Sequence, residues 1–122
     1  YKSHYILISV RLQKRADGVV FADDNLERTF NALPEDDWLK KALRRAIFDL
    51  KENVFAGERI PKNLMPKEYK QKYAVDNIKW IPLPNAWRLI YSVITPSNTE
   101  ILAVILEYFD HKNYARRFGY RT

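Results

Sequence analysis

Residues 78–109 read Ile-Lys-Trp-Ile-Pro-Leu-Pro-Asn-Ala-Trp-Arg-Leu-Ile-Tyr-Ser-Val-Ile-Thr-Pro-Ser-Asn-Thr-Glu-Ile-Leu-Ala-Val-Ile-Leu-Glu-Tyr-Phe. The stretch is rich in β-branched and aromatic side chains, which suit a pleated surface, and it is cut by turn formers. Pro82 and Pro84 end a first run, and Thr95-Pro96-Ser97-Asn98 separates the second from the third. The spacing predicts three strands over 78–83, 86–95 and 100–109, with connections short enough for an antiparallel meander.

Upstream, residues 58–77 are polar and basic, broken by Pro61 and Pro66 and studded with Lys62, Lys67, Lys70 and Lys72. They read as irregular, apart from a short helical turn around Lys67–Lys72. Before them lies a clear helical pattern. Leu39, Leu43, Ile47, Leu50 and Val54 recur at three-to-four spacing, widened by Trp38, Ala42 and Ala46. Lys40, Lys41, Arg44, Arg45 and Lys51 are expected on the opposite, solvated face. Pro34 at an early helical position and the acids at 35–37 suit the start of this helix, and Gly57 suits its C-cap. Asp24 or Asn25 reads as the N-cap of a shorter helix reaching Leu33.

Val19-Val20-Phe21 is either a short strand or a loop packed down, and the residues leave both open. Residues 4–12 predict a strand whose apolar Ile6-Leu7-Ile8 suits burial on both faces. The tail, 111–121, is basic and aromatic and reads as a short helix. The expected fold class is α+β: an N-terminal strand, a helical hairpin, then an antiparallel sheet meander, with the helices on one face of the sheet. A chain of 122 residues fits one domain over 1–122.

Composition narrows the function classes. With 47% hydrophobic residues the chain can build a core. Three glycines are too few for a phosphate-cradling Gly-rich loop or a dinucleotide fingerprint. Zero cysteines exclude disulfides, thiolate metal sites and a cysteine nucleophile. A small domain without such staples is expected in the cytoplasm. No apolar run approaches the roughly 18 residues a bilayer requires, and no signal pattern opens the chain. It begins with Tyr1 rather than Met, so an upstream segment is expected and a removed leader stays open. The formal charge of +6 favours an acidic partner: nucleic acid, an acidic protein or a membrane surface.

Trp87-Arg-Leu-Ile-Tyr-Ser-Val93, Ile101-Leu-Ala-Val-Ile-Leu106 and His111-Lys-Asn-Tyr114-Ala-Arg-Arg-Phe118 resemble, in that order, the C-terminal half of RelE/ParE-family toxins. In that family a strand written Trp/Tyr-Arg-hydrophobic-hydrophobic-Tyr leads into an apolar strand and then a basic His-Arg/Lys-x-x-Tyr motif. Here the last motif is one residue shorter between the basic residue and Tyr. The resemblance covers 87–118 in motif and roughly 4–118 in element order. It implies a RelE-like fold, a type II toxin–antitoxin context, a cognate antitoxin protein as partner, and the ribosome with its mRNA as target. It implies a metal-independent endoribonuclease in which the substrate's own 2′-hydroxyl attacks. No cofactor, metal, small-molecule ligand or membrane partner is expected. Gyrase-directed members that cleave nothing, and inactive structural homologues, share the fold and stand as alternatives.

That chemistry needs a base for the 2′-OH proton, cations for the charged transition state, and an acid for the leaving oxygen. Arg88 aligns with the family's phosphate-binding arginine, whose planar fork matches phosphate oxygens; the alternative is an exposed strand arginine. His111 resembles the family's proton-transfer histidine, a residue type whose intrinsic titration lies near neutrality, or else is a loop residue paired with Asp110. Tyr114 matches the C-terminal tyrosine that stacks on a base or assists proton transfer, or else packs in the core. Lys79 stands where some members carry a lysine base or phosphate ligand, or else is a solvated strand residue. Lys62, Lys70, Lys112, Arg116 and Arg117 are candidate RNA-backbone contacts. No glutamate stands where some members keep a general base; Glu107 is on the last strand with its facing open. The Pro82-Leu-Pro84-Asn85 turn is also longer than the family's usual hairpin.

Overall fold

The computed structural model describes residues 13–119; the strand expected over 4–12 lies outside them. In chain order the elements are β1 (Gly18–Phe21), α1 (Asp24–Ala32), α2 (Trp38–Glu52), β2 (Glu58–Ile60), α3 (Lys67–Tyr73), β3 (Ile78–Leu83), β4 (Trp87–Ser97), β5 (Glu100–Phe109) and α4 (His111–Arg117). The strands form one mixed sheet in the order β1-β5-β4-β3-β2. β1 runs parallel to β5, and the other three pairings are antiparallel. The α+β class and the three-strand meander therefore stand. Val19-Val20-Phe21 is a strand, and β2 is an added strand inside a segment whose sequence looks irregular.

The two helices of the hairpin, α1 and α2, lie on one face as expected, and the shorter α3 and α4 cover the other. Phe30 of α1 and Leu39, Leu43, Ala46 and Leu50 of α2 pack on Leu83, Leu89, Tyr91, Ala103 and Ile105. The other face, formed by Ile60, Ile78, Ile90, Leu106 and Phe109, is covered by Tyr69 of α3 and Tyr114 of α4. Adjacent strand residues point to opposite faces, and β4 and β5 carry apolar groups on both, so the sheet needs two covers. The short α3 and α4 look like polar surface pieces in sequence because each contributes mainly tyrosine to the second layer.

Several boundaries are corrected by capping. α1 is capped by Asp23, not Asp24 or Asn25: its carboxylate accepts from the Leu26 amide at 2.7 Å. α2 starts at Trp38, not Pro34, because the Asp37 carboxylate accepts from the Leu39 amide at 2.8 Å and 34–37 form a turn. Its C-cap is Asn53 rather than Gly57, and Asn53 Oδ1 accepts from the Phe55 amide at 3.0 Å. Val54 thus lies beyond the helix, yet is fully buried.

Gly57 has a different task. A Cβ there would stand 2.7 Å from the Trp80 carbonyl oxygen and 2.7 Å from the Tyr91 ring, so only glycine lets this segment close on β3 and β4. Its amide donates to the Tyr91 hydroxyl at 2.9 Å, and that hydroxyl donates to the Val54 carbonyl at 3.0 Å.

Lys40, expected in solvent, is only 4% exposed. Its Nζ donates to the carbonyls of Asn31 and Leu33 at 3.0 and 2.9 Å and pairs with Glu35 at 2.7 Å. A cation is favoured there because the last carbonyls of α1 have no helical partner. Trp38 and Phe48, by contrast, remain substantially exposed.

One irregularity decides where the functional side chains go. Ile90 pairs with Glu107, but Tyr91 pairs with Ile105, so Leu106 is an extra residue in β5. Such a bulge breaks strict alternation and re-aims the side chains beyond it. Leu106 and Phe109 consequently both pack beneath α3 and α4, and Glu107 turns to the same side.

Candidate functional site

β5 ends at Phe109, the residue paired with Arg88 on β4. Directly after it, the Asp110 carboxylate accepts from the Asn113 amide at 2.9 Å and starts α4. The helix thus turns back over the sheet beside Arg88. Tyr114, one turn beyond His111, is 3% exposed and covers that arginine. Trp80 approaches from β3: it opposes Ile90 while Arg88 opposes Pro82, which makes Trp80 and Arg88 diagonal neighbours on one face. The guanidinium carbon lies 4.2 Å from the Trp80 ring centroid and 4.2 Å from that of Tyr114.

Tyr114 is itself held by aromatic contacts. Phe118 stacks on it with centroids 4.5 Å apart, and Phe109 meets it edge-on at 5.8 Å. Its ring is thereby engaged by Arg88, Phe109 and Phe118, the core-packing alternative of the two left open for it. Its role in this structure is to roof the arginine.

Arg88 is half-buried and, among the described residues, its guanidinium makes no hydrogen bond or ion pair, so no carboxylate stands opposite its N–H groups. Arg117 differs sharply. Its Nε and Nη2 donate to the two oxygens of Glu107 at 3.0 and 3.1 Å, and Glu68 lies 3.8 Å from Nη1. The Glu107 carboxylate holds the Arg117 guanidinium even more firmly charged than usual. Arg117 is therefore a structural clasp between α4 and β5 and not an open phosphate ligand.

The remaining candidates scatter. His111 is exposed as the first residue of α4. Asp110 Oδ1 is taken by the amide and side chain of Asn113. His111 and Tyr114 are three residues apart on α4, Tyr114 turned under the helix against Arg88 and His111 exposed. Lys79 lies elsewhere: its neighbours Ile78 and Trp80 pack under α3 and α4, while its own Nζ stands 5.8 Å from the Phe55 ring on the opposite face. The sheet separates Lys79 from Arg88. Lys112 and Arg116 are exposed on α4, with Arg116 reaching Asn113 Oδ1 at 3.4 Å. Lys62 and Lys70 are exposed near and on α3.

Two clefts flank the Glu107–Arg117 clasp. One, of about 370 Å³, is lined by Glu68, Tyr69, Gln71, Lys72, Tyr73, Glu107 and Arg117. The other, of about 450 Å³, shares Glu68, Glu107 and Arg117 and adds Tyr108, Phe109, Asn113 and Arg116. Arg88 lines neither. The Tyr69 hydroxyl is buried beside Glu107 without a well-formed hydrogen bond, and burial, reinforced by that carboxylate, pushes it far above the usual phenol range. No group of three or more His, Cys, Asp or Glu side chains that could hold a metal occurs among the described residues. No helix among them is long and apolar enough to cross a membrane.

Two partners of the site escape a reading of the sequence. Trp80 is reachable only through the register of the β3–β4 hairpin, which depends on the length of its turn. The facing of Glu107 depends on the bulge at Leu106, which leaves no mark in the residue pattern. Compared with known proteins, the chain matches no family model, and no curated protein or solved structure is significantly similar to it.

Proposed function

We propose that the protein is a toxin of the RelE/ParE type, an mRNA endoribonuclease of the cytoplasm that acts at the ribosome and is held in check by a cognate antitoxin. The reading rests on the motifs of β4, β5 and α4. The observation that carries it is the unpaired guanidinium edge of Arg88, held beside the helix that begins with His111. In cleavage by 2′-OH attack, negative charge grows on the phosphate oxygens as the new P–O bond forms. An arginine whose donors are already oriented stabilises that charge without reorganising. His111 is exposed, and histidine is the residue type suited to proton exchange at neutral pH, so it is the candidate for proton transfer to the leaving 5′-oxygen. Lys112 and Arg116 extend the cationic surface along α4 for the flanking phosphates. An acidic antitoxin segment would compete for the same charges.

A second reading has support as well. Burial of Tyr114 and the position of Lys79 reduce the acid–base set to His111, which suits a non-cleaving toxin, such as a gyrase-directed one, on the same fold. Inducible expression separates the two. Under the ribonuclease reading, Arg88→Ala and His111→Ala each abolish growth arrest and the mRNA cuts mapped by primer extension. Arrest that survives both changes, accompanied by a DNA-damage response and intact mRNA, would replace the first reading with the second.

A further inference from the structure

Arg88 is flanked by two aromatic rings, Tyr114 of the C-terminal motif and Trp80, which lies outside the three motif stretches. We propose that Trp80 is a positioning residue: its indole, together with Tyr114, clamps the Arg88 guanidinium in one plane so that its N–H edge receives an oxyanion of the phosphate class. The inference rests on the reading of Arg88 as a phosphate ligand and deepens it.

A guanidinium bonds anions in its own plane, through a rigid fork of five N–H donors, and contacts aromatic rings through its faces. The two kinds of contact do not compete. The guanidinium carbon lies 4.2 Å over the Trp80 ring and 4.2 Å over the Tyr114 ring, within stacking range of both, and no carboxylate pairs with the side chain among the described residues. A free arginine side chain carries about 2 kcal/mol of rotamer entropy, and a stacked one loses less of it when an anion arrives. The rings also thin the water around the cation, which strengthens its field towards an incoming charge.

Trp80 suits this task better than a chance neighbour. It is half-buried, packed into the apolar layer under α3 and α4, so its ring cannot swing away freely. It reaches Arg88 by strand register rather than by loop contact, because β3 and β4 pair continuously from Lys79–Tyr91 to Leu83–Trp87. Among the described residues nothing neutralises Arg88, whereas Arg15, Arg44, Arg45 and Arg117 each pair with a carboxylate. A half-buried cation stacked twice and left unpaired at its edge is arranged for a ligand, not for the stability of the fold.

The test is a titration of the whole chain with inorganic phosphate, followed by the Nε–Hε resonance of Arg88 in ¹⁵N-labelled protein. The wild-type signal should start upfield from the two ring currents and move saturably with phosphate. Trp80→Leu should weaken phosphate binding by about tenfold, in line with the loss of one desolvated cation–π contact. Trp80→Phe should restore most of the affinity. Arg88→Lys keeps the charge without the planar fork and should fall as far as Trp80→Leu; it also serves if Trp80→Leu does not fold. Unchanged binding in a folded Trp80→Leu protein, or full affinity in Arg88→Lys, overturns the clamp while leaving Arg88 a phosphate ligand. Wild-type affinity in Arg88→Ala overturns the phosphate reading itself, and the clamp with it.

Discussion

Arg117 on α4 grips Glu107 on β5 through two parallel hydrogen bonds of 3.0 and 3.1 Å, across a bulge that turns the carboxylate towards the helix. Bidentate pairing of this kind is stronger than a simple contact, and both side chains are partly withdrawn from water, at 35% and 25% exposure. A double-mutant cycle with Glu107→Ala and Arg117→Ala, followed by urea denaturation, should give a coupling of about 1–2 kcal/mol. A coupling near zero would reduce the clasp to an ordinary surface ion pair. Arg116→Ala should barely change stability but, under the proposed ribonuclease reading, should weaken RNA binding and lower its salt dependence.

Lys79 lies on the far side of the sheet from Arg88, with its ammonium over Phe55. Loss of a proton-transferring group costs about 10²–10⁴-fold in rate. Under the proposed ribonuclease reading, Lys79→Ala should fall far short of that in an RNA-cleavage assay, and growth arrest should persist. A loss as large as that of Arg88→Ala would mean that the ribonuclease surface is on the α1/α2 side.

Gly57 and Tyr91 form one junction between the segment after α2 and the sheet. Gly57→Ala places a methyl group 2.7 Å from the Trp80 carbonyl oxygen and should cost about 1–3 kcal/mol by overpacking. Tyr91→Phe strands the Gly57 amide and the Val54 carbonyl in a buried setting, and should cost a similar 1–3 kcal/mol, about the penalty for unsatisfied polar groups. Because both changes damage the same bonds, the double variant should lose less than the sum of the two. Strict additivity in chemical denaturation would show that the junction does not act as a unit.

Asp23 caps α1 and also accepts from the Tyr73 hydroxyl at 3.0 Å, joining α1 to α3. The Leu26 amide above all, and then Tyr73 and Lys72, hold its carboxyl below the usual range against an opposing push from burial. A carboxyl whose folded value is depressed contributes stability above its unfolded value of about 3.9, and loses it as pH falls through the folded one. Acidification below about pH 4 should therefore destabilise the wild type more than Asp23→Asn. Parallel stability curves for the two proteins over that range would remove Asp23 from the acid response.

Much of the frame is legible in the sequence because it comes from local chemistry. The meander over 78–109 announces itself through β-branched runs and proline punctuation, and α2 through its apolar stripe. Helix ends mislead wherever two residues could serve as caps, since the choice between Asp23 and Asp24, or Asn53 and Gly57, depends on which side chain reaches a free amide. Lys40 looks solvated because its partners are the carbonyls that end α1, nine and seven positions upstream, where helical periodicity has nothing to say.

The sequence by itself determined that this chain is α+β with a basic, aromatic C-terminal segment, and it marked Arg88, His111 and Tyr114 as candidates for chemistry. Only the tertiary structure decided which of those side chains meet. The extra residue in β5 sends Glu107 to Arg117, the face of β3 sends Lys79 away from Arg88, and the hairpin register brings Trp80 to it. Sheet facing alternates with every residue, so a shift of one position reverses it. Composition and motif carry no record of that shift.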